Sequence, residues 1–383
     1  MLSYKFEISR YIRDLEYLVN IDSGSRDVEG IAKVTEFFAR KFSEIGWKVK
    51  EHYFDPTAGP CLEIVNSDKN YYDILLMGHM DTVFETGTAA KRPFAIKDGR
   101  GYGPGIADCK GGLLAVFYVL SALRHEEKLN HLSIGVAFNS DEEISSIYSR
   151  PWLEMLAKKS ECVLVVEPGR ANGDFVNKRK GVGRYRLEIN GVAAHSGIDH
   201  EKGRSAVEEL AHWILALHSK TNYATGTTVN VGVVSAGTAV NVVAAQAKAE
   251  VDVRMYDPAE AQAVEQVMRD LAAHPRTSGV TAQVRGNVTR PPMLPSARTL
   301  ELCDAMEHMG AELGIPINWT ATGGGSDGSF AASLGIPTLD GLGPIGGGFH
   351  GPNEYLLIDS IEPRCKLLYR FIEYIAENSK NSR

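Results

Sequence analysis

The sequence feature that most constrains the fold is an apolar run, residues 74–77, that ends abruptly in Gly78-His79-Met80-Asp81. A short buried strand with polar side chains at its C-terminal end is typical of open α/β sheets, which build sites at that edge. Residues two apart in extended chain share a face, so His79 and Asp81 can point the same way. One can bind a metal ion while the other orients the imidazole. A surface histidine beside a turn aspartate explains the pair equally well, so further ligands must come from elsewhere.

Strand-like and helix-like patterns alternate over the first 180 residues. Helices are predicted at 8–19, from Asp27 to Gly46, at 111–123 and at 152–158, and strands at 47–54, 61–66, 72–77, 132–138 and 162–166. This order predicts an α/β fold with a mostly parallel sheet covered by helices.

The pattern changes near Gly181. Strand 185–189, helix 205–218, strands 227–234 and 240–254, helix 258–273 and strand 280–284 follow in the order typical of a ferredoxin-like α+β domain. We therefore expect residues 181–290 to be inserted into a larger domain made of 1–180 and 291–383. The returning part is predicted to hold helix 297–313, a glycine loop at 323–328, strand 337–342 and helix 361–375.

Composition excludes several classes of protein. The 383 residues carry a net charge of −7, with no basic block of the kind that binds nucleic acid. No apolar run approaches the ~18 residues that span a bilayer, and the N-terminus lacks the apolar stretch of a signal peptide. The five cysteines are scattered and form no CxxC pair, which favours a reducing, cytoplasmic location.

Further candidate ligands follow other predicted strands: Asp108, the pair Glu142 and Glu143, and Glu167, with His350 in a late loop. Parallel strands place their C-terminal ends at one edge, so these groups can converge. Histidines and carboxylates without cysteine suit a hydrolytic site with two metal ions, which needs a bridging carboxylate. Asp108, at the tip of a glycine-rich loop, is the best candidate for the bridge.

Neighbouring residues in extended chain point in different directions, so one glutamate of the pair Glu142-Glu143 can bind metal while the other takes a proton. A solvated acidic loop is the commoner outcome for such a pair in isolation. Glu167 follows a buried strand and needs a partner.

Two other motifs suggest different chemistry. Gly324-Gly325-Ser326-Asp327-Gly328 matches the GxSxG nucleophile motif, and Asp340 and His350 follow in α/β-hydrolase order. That motif needs a buried strand before it, and residues 317–322 form a poor one, so a serine hydrolase acting through Ser326 is a remote alternative. The loop 99–105 misses the GxGxxG spacing of dinucleotide-binding proteins.

Together the motifs resemble the co-catalytic zinc peptidase and aminoacylase family, peptidase family M20, in order and over nearly the whole chain. The closest likeness is to glutamate carboxypeptidases of the carboxypeptidase G type. The motifs are Gly78-His79-Met80-Asp81-Thr82, Gly103-Pro104-Gly105-Ile106-Ala107-Asp108-Cys109-Lys110-Gly111-Gly112, Asp141-Glu142-Glu143, Glu167-Pro168 and His350-Gly351-Pro352-Asn353-Glu354.

The resemblance implies two Zn²⁺ ions per subunit, for which Co²⁺ or Mn²⁺ could substitute. It implies that Asp108 bridges the ions, that His79 and Glu167 complete one ligand set, and that Glu143 and His350 complete the other.

The resemblance also assigns supporting roles. Glu142 is implied as the general base, and Asp81 as the residue that orients His79. The family has a cis peptide after the bridging Asp108, often followed by Asp. Cys109 stands at that position here and departs from the pattern.

The inserted segment resembles the family's lid and dimerisation domain. His195, in Ala193-Ala194-His195-Ser196-Gly197, is implied to reach the partner subunit's site and stabilise the oxyanion, although a surface histidine near a turn is the simpler interpretation of the residue alone. Asn241, Arg254 and Arg290 are implied substrate contacts, and Gly324 lies in the implied substrate-edge loop.

The expected activity is hydrolysis of the C-terminal amide bond of a small peptide or N-acyl amino acid, with release of glutamate or a similar amino acid. The same site would serve a deacetylase or desuccinylase, so that alternative stays open. An inactive scaffold is disfavoured because the implied ligands and base are all present. We expect a homodimer formed through the lid, and neither a membrane nor a nucleic-acid partner.

Overall fold

The computed structural model describes residues 6–129 and 131–379. The chain divides into two compact units. The first holds the described residues up to Lys178, Leu294–Ala321 and those from Ser326 onward, and the second holds Arg179–Met293 and Thr322–Gly325. The domain boundaries expected after residues 180 and 290 stay a prediction. Thr322–Gly325 belongs to the second unit, together with the inserted segment.

Helices and strands alternate up to Arg179. In chain order they are α1 (Ile8–Val19), α2 (Val28–Glu44), β1 (Lys48–His52), β2 (Cys61–Val65), β3 (Ile74–His79), α3 (Thr88–Lys91), β4 (Ala95–Lys97), β5 (Arg100–Tyr102), α4 (Gly112–His125), β6 (Ile134–Asn139), α5 (Arg150–Ala157), β7 (Val163–Val165), β8 (Pro168–Gly169) and β9 (Phe175–Arg179). Helix α2 begins as predicted, because the Asp27 carboxylate accepts a hydrogen bond from the Gly30 N–H and caps it.

The second unit and the returning segment complete the chain. The second unit contains β10 (Gly181–Asn190), α6 (Ala206–His218), β11 (Thr228–Ala236), β12 (Gln246–Met255), α7 (Pro258–Ala273) and β13 (Thr281–Arg290). After it come α8 (Ala297–Leu313), β14 (Trp319–Thr322), α9 (Gly328–Ser333), β15 (Thr338–Leu339), β16 (Gly343–Gly347), β17 (Tyr355–Leu357) and α10 (Ile358–Ser379).

The main sheet of the first unit has the strand order β1-β2-β6-β3-β7-β15. The four strands from β6 to β15 are parallel, whereas β1 and β2 form an antiparallel edge. Successive residues of β3 face opposite layers. Leu76 belongs to the apolar cluster formed with α1, α2 and α4, and Leu75 packs in the cluster formed with α5 and α9. The α/β fold class is confirmed, with helices on both faces of a mixed sheet.

Contrary to the expectation from sequence, one segment is long and apolar enough to cross a membrane. It is helix α4 with the turn before it, Ile106–His125, which has a mean hydropathy of 1.6. Most of that segment, 83%, is buried inside the protein. Leu113, Val116 and Leu120 lie in the core beneath β3. The segment is therefore the core helix of the first unit.

The sheet of the second unit is antiparallel with the order β11-β12-β10-β13, as expected for a ferredoxin-like fold. Tyr185, Leu187 and Ile189 alternate toward the core, which also contains residues of α6 and α7. The predicted strand 240–254 is wrong at its start, because β12 begins only at Gln246. In the loop before β12, the backbone N–H of Val243 donates a hydrogen bond to the Ala194 carbonyl rather than to a neighbouring strand.

Candidate metal centre

Strand β3 delivers His79 at its C-terminal end, where the side chain is 1% exposed. Its Nε2 atom lies 3.1 Å from Asp108 Oδ1 and 3.5 Å from Glu167 Oε1. Its Nδ1 atom lies 2.9 Å from the backbone oxygen of Asp81 and 3.3 Å from the Asp81 carboxylate. A proton on Nδ1 satisfies these oxygens, so Nε2 is the nitrogen available to a metal ion.

Asp108 lies in the turn Ile106–Gly111 that precedes α4. Gly105 starts this turn with a φ of 71°, and a Cβ atom there would lie 2.5 Å from Thr82 Cγ2. The turn therefore requires glycine at this position. The peptide bond between Asp108 and Cys109 is cis, as the resemblance implies.

The two oxygens of the Asp108 carboxylate face two different histidines. Oδ1 is the oxygen near His79, and Oδ2 lies 3.3 Å from Nε2 of His350. His350 Nε2 also lies 3.2 Å from Glu143 Oε2. His350 has a φ of 60°, a conformation that costs a non-glycine residue about 1–3 kcal/mol and recurs at functional sites.

Charges at this centre shift the pKa values of its members. Burial would lower the pKa of His79, but hydrogen bonds to Asp108 and Asp81 raise it well above its usual value. Hydrogen bonds to Asp108 and Glu143 raise the pKa of His350 to about 11. Burial opposes ionisation of Asp108, yet the two imidazoles hold the pKa of that carboxyl well below its usual range. Burial raises the pKa of Glu143. The centre concentrates carboxylates around two imidazoles, which favours binding of a divalent cation.

The donor set fits divalent metal ions. The ligand atoms of His79, Asp108 and Glu143 all lie within 4.8 Å of one another. Imidazole nitrogen and carboxylate oxygen are ligands that Zn²⁺, Co²⁺ and Mn²⁺ accept. The structure thus brings together all five residues predicted as ligands.

Cys109 lies beside this set, with its thiol within 4.8 Å of ligand atoms of His79 and Glu167. The thiol donates a hydrogen bond to the Val166 carbonyl at 3.3 Å and is fully buried. Burial raises the pKa of the Cys109 thiol well above its usual value. The thiol proton is thus engaged by the Val166 carbonyl, and Cys109 is not among the residues predicted as ligands.

Glu142 and Glu143 form a short turn, Glu142–Ile144, after β6. The backbone N–H of Glu142 donates to Asp81 Oδ1, and that of Glu143 donates to Asp81 Oδ2, both at 3.1 Å. The Asp81 carboxylate therefore holds the Glu142–Glu143 backbone as well as lying near His79.

Sequence reasoning missed two residues of this centre. The Ser25 hydroxyl donates to Asp81 Oδ2 at 2.6 Å, and nothing in the loop around it indicated a role. Glu354 stands in the quoted motif after His350, but we assigned it no function. Its carboxylate is 1% exposed and accepts backbone hydrogen bonds from Gly105, Ala107 and Asp108. Its position in the same motif as His350 was the signal available in the sequence.

In the second unit, the predicted residues His195 and Asn241 lie on paired loops. The Ser196 N–H donates to the Asn241 carbonyl, and both side chains are exposed. The Gly197 N–H donates to His195 Nδ1 at 3.1 Å.

The remaining predicted substrate contacts also belong to the second unit. Nε and Nη2 of Arg254 donate to both carboxylate oxygens of Asp252, and Nη1 donates to the Gly323 carbonyl. Gly324 is exposed, and its carbonyl accepts from Arg179, a buried arginine that the sequence did not single out. Arg290 is 3% exposed.

The serine-hydrolase alternative is wrong. Ser326 is fully buried, and its hydroxyl donates directly to the Asp340 carboxylate at 2.5 Å. A catalytic triad needs the histidine between these two groups, whereas His350 contacts Asp108 and Glu143.

Comparison with known proteins places the chain in a family. Residues 75–374 match the model of Peptidase family M20/M25/M40. Carboxypeptidase G2 of Pseudomonas sp. (strain RS-16) is 31% identical over 371 residues, which cover 94% of this chain and 88% of that protein. Acetylornithine deacetylase of Edwardsiella ictaluri (strain 93-146) is 26% identical over 380 residues, with 94% of each chain covered.

A solved structure supports the same conclusion. The crystal structure of a tripeptidase from Staphylococcus aureus superposes with a TM-score of 0.80 at 25% identity, covering 97% of this chain and 99% of that one. The chain therefore belongs to peptidase family M20/M25/M40, a family of metal-dependent hydrolases, and is itself such a hydrolase.

Proposed function

We propose that this protein is a hydrolase with two metal ions that cleaves the C-terminal amide bond of small peptides or N-acyl amino acids and releases glutamate or a similar amino acid. One observation carries the proposal: the two oxygens of Asp108 face Nε2 of His79 and Nε2 of His350. A carboxylate placed in this way can bridge two ions. The 31% identity to a carboxypeptidase supports the choice of substrate class.

Five residues would hold the ions, which we propose to be zinc. His79 and Glu167 complete one ligand set, Glu143 and His350 complete the other, and Asp108 belongs to both. When bound, such ions polarise the amide carbonyl and make a water molecule more acidic.

Glu142 is the proposed general base. Its backbone is held by Asp81, next to Glu143, so its carboxylate belongs to the same turn as a metal ligand. From there it takes a proton from the attacking water and returns it to the leaving amine. Asp81 keeps the proton of His79 on Nδ1, so that Nε2 would be free to bind a metal ion.

His195 is the proposed oxyanion donor, contributed to the site of the partner subunit. Because the Gly197 N–H donates to Nδ1, the neutral ring carries its proton on Nε2 and can donate from there. Asn241, Arg254 and Arg290 are proposed to bind the substrate carboxylate, and Gly324 is proposed to line the edge of the substrate site. Asp252 orients the Arg254 guanidinium by accepting hydrogen bonds from its Nε and Nη2 atoms.

The partner subunit is proposed to be a second copy that binds through the second unit. Strand β11 is an edge strand, and large apolar side chains are exposed on it and on α6: Val207, Leu215, Val233 and Val234. Edge pairing with an identical strand would cover these side chains. We propose a cytoplasmic location, because all five cysteines are free and buried.

A deacetylase or desuccinylase is the second candidate. The specific observation in its favour is the 26% identity to acetylornithine deacetylase over nearly the whole chain. Both candidates use the same ligands and base, and they differ in the acyl group removed.

A substrate screen with the zinc-loaded protein tests the proposal. The panel contains dipeptides with C-terminal glutamate, N-acetyl amino acids and N-succinyl amino acids, and the released acid and amino acid are quantified. Glutamate release supports the carboxypeptidase, and acetate or succinate release moves the assignment to the second candidate. Asp108→Asn should bind less than one ion per chain, whereas the exposed control Asp304→Asn should bind two, measured by elemental analysis. Two ions on the Asp108→Asn protein would contradict the bridging role.

A further inference from the structure

The hydroxyl of Ser25 is a buried donor directed at Asp81. Ser25 is 7% exposed, and its Oγ lies 2.6 Å from Asp81 Oδ2, a short bond to a charged acceptor. Asp81 is fully buried. Its Oδ2 accepts only one other hydrogen bond among the described residues, from the backbone of Glu143.

The segment that carries Ser25 is held against the chain just after β3. The Thr82 N–H donates to the Ser23 carbonyl at 2.8 Å, and the Ser25 N–H donates to the Thr82 carbonyl at 3.2 Å. A Cβ atom on Gly24 would lie 2.4 Å from the Phe84 carbonyl oxygen, so the close approach requires glycine. These backbone hydrogen bonds therefore hold Ser25 close to Asp81 independently of the two side chains.

The orientation of the Asp81 carboxylate affects where the backbone of Glu142 and Glu143 lies. Each oxygen accepts one backbone N–H of that pair, and Oδ1 also lies 3.3 Å from His79 Nδ1. The terminal torsion of an aspartate is broad, so hydrogen bonds must fix it. The Ser25 hydroxyl supplies the side-chain hydrogen bond that holds Oδ2 away from His79.

We infer that Ser25 is a positioning residue for the hydrolytic reaction, which acts through Asp81 to align the proposed base Glu142 and the proposed ligand Glu143. The inference rests on the function proposed above. Without the hydroxyl, the Asp81 carboxylate can turn toward His79, and the Glu142–Glu143 turn loses its fixed acceptors. Removing such a supporting group costs about 10–100-fold in metal affinity or activity.

Ser23 provides a matched control. It lies two residues away on the same segment and is 1% exposed, but its hydroxyl has no hydrogen-bond partner among the described residues. Ser25→Ala and Ser23→Ala therefore delete the same group from the same buried segment. Ser25→Thr keeps a hydroxyl on the same Cβ atom, at a residue that helps to line a cavity of ≈ 540 Å³.

The experiment measures Co²⁺ affinity by titrating the visible absorption of the full-length protein, and kcat and KM on the substrate found in the screen. Ser25→Ala should lower the affinity for the weaker ion and kcat by about 10-fold or more, with KM within about 2-fold. Ser23→Ala should match the wild type, and Ser25→Thr should recover most of the loss. In an Asp81→Asn background, Ser25→Ala should add little, because both changes remove the same support.

Equal Co²⁺ affinity and kcat in the Ser25→Ala and Ser23→Ala proteins would overturn the inference, as would full additivity with Asp81→Asn. Thermal midpoints of all variants show whether a loss reflects unfolding, and Ser25→Thr decides the case if Ser25→Ala does not fold. Failure of the proposed function has a different signature, because the wild-type protein would then bind no Co²⁺ or hydrolyse none of the panel.

Discussion

The Glu354 carboxylate accepts a hydrogen bond at 3.1 Å from the backbone N–H of Asp108, the residue that faces both histidines. It also accepts from the N–H groups of Gly105 and Ala107, each at 3.0 Å. One buried side chain from the loop of His350 thus fixes the backbone of the Asp108 turn. The two loops that carry these proposed ligands are held together without any direct contribution of Glu354 to the ligand set.

Glu354→Gln should therefore weaken metal binding and turnover by about 10–100-fold. The amide of glutamine replaces one acceptor oxygen with a donor, which then faces a backbone N–H. Elemental analysis after dialysis against a weak chelator, together with kcat, measures the effect. Glu362→Gln is the control, because Glu362 makes a half-exposed ion pair with Lys366 on α10 and lies outside the proposed ligand set. Equal metal retention in both variants would show that the Asp108 turn does not need Glu354.

Glu142→Gln should keep both metal ions and lower kcat by about 10²–10⁴-fold, the usual contribution of a general base. The amide fits the space of the carboxylate but cannot take a proton from water. Glu161→Gln, on an exposed residue, should retain normal activity and control for the loss of one charge. Near-normal turnover by the Glu142→Gln protein with two bound ions would remove Glu142 from the mechanism.

The parts of the fold that could be predicted are the elements that local sequence patterns specify. Helix α2 is an example, since Asp27 caps it and Phe38 and Phe42 recur at helical spacing on its buried face. The direction of a strand has no such signature, which is why the antiparallel edge formed by β1 and β2 was not predicted. Valine is common in strands, yet Val240 is fully exposed and lies in a loop. The residues around it form backbone hydrogen bonds outside the sheet.

The proposed ligands could be found because histidine and carboxylates at strand ends are informative in themselves. The residues that orient these ligands cannot be recognised from the sequence in the same way. Ser25 is 56 residues from Asp81, and Glu354 is 246 residues from Asp108. Such contacts depend on how loops meet in the folded chain, and a serine or a glutamate in a loop is common without one.

The thiols should be unreactive in the native protein. All five cysteines are free and at most 5% exposed. Burial raises the pKa of Cys61, Cys162 and Cys303 to about 12 in each case, so the reactive thiolate is scarce at neutral pH. Titration with Ellman's reagent should find none that react rapidly in the folded protein and five after denaturation. A fast-reacting thiol in the metal-loaded protein would contradict the buried positions.

Glu209 makes the stability of the second unit depend on pH. It is fully buried, and its carboxylate accepts hydrogen bonds from Trp213 Nε1 at 2.9 Å and from the Thr277 N–H at 2.7 Å. Burial opposes ionisation, but these donors hold the pKa of Glu209 below its usual value. Because the pKa is lower in the folded state, the ionised group stabilises the fold above the unfolded pKa of about 4.3. That stabilisation is lost as the pH falls through the folded pKa.

Glu209→Gln should consequently lower the free energy of unfolding at pH 7 by about 1.5–3 kcal/mol, the range for hydrogen bonds to a charged group. The difference from the wild type should shrink as the pH is lowered below about 4, where the wild-type carboxylate is also becoming neutral. Urea unfolding followed by tryptophan fluorescence measures both values, since Trp213 is itself a donor to Glu209. The exposed neighbour Glu208→Gln should show no such dependence. A difference that stays constant as the pH is lowered well below 4 would mean that the charge of Glu209 does not stabilise this unit.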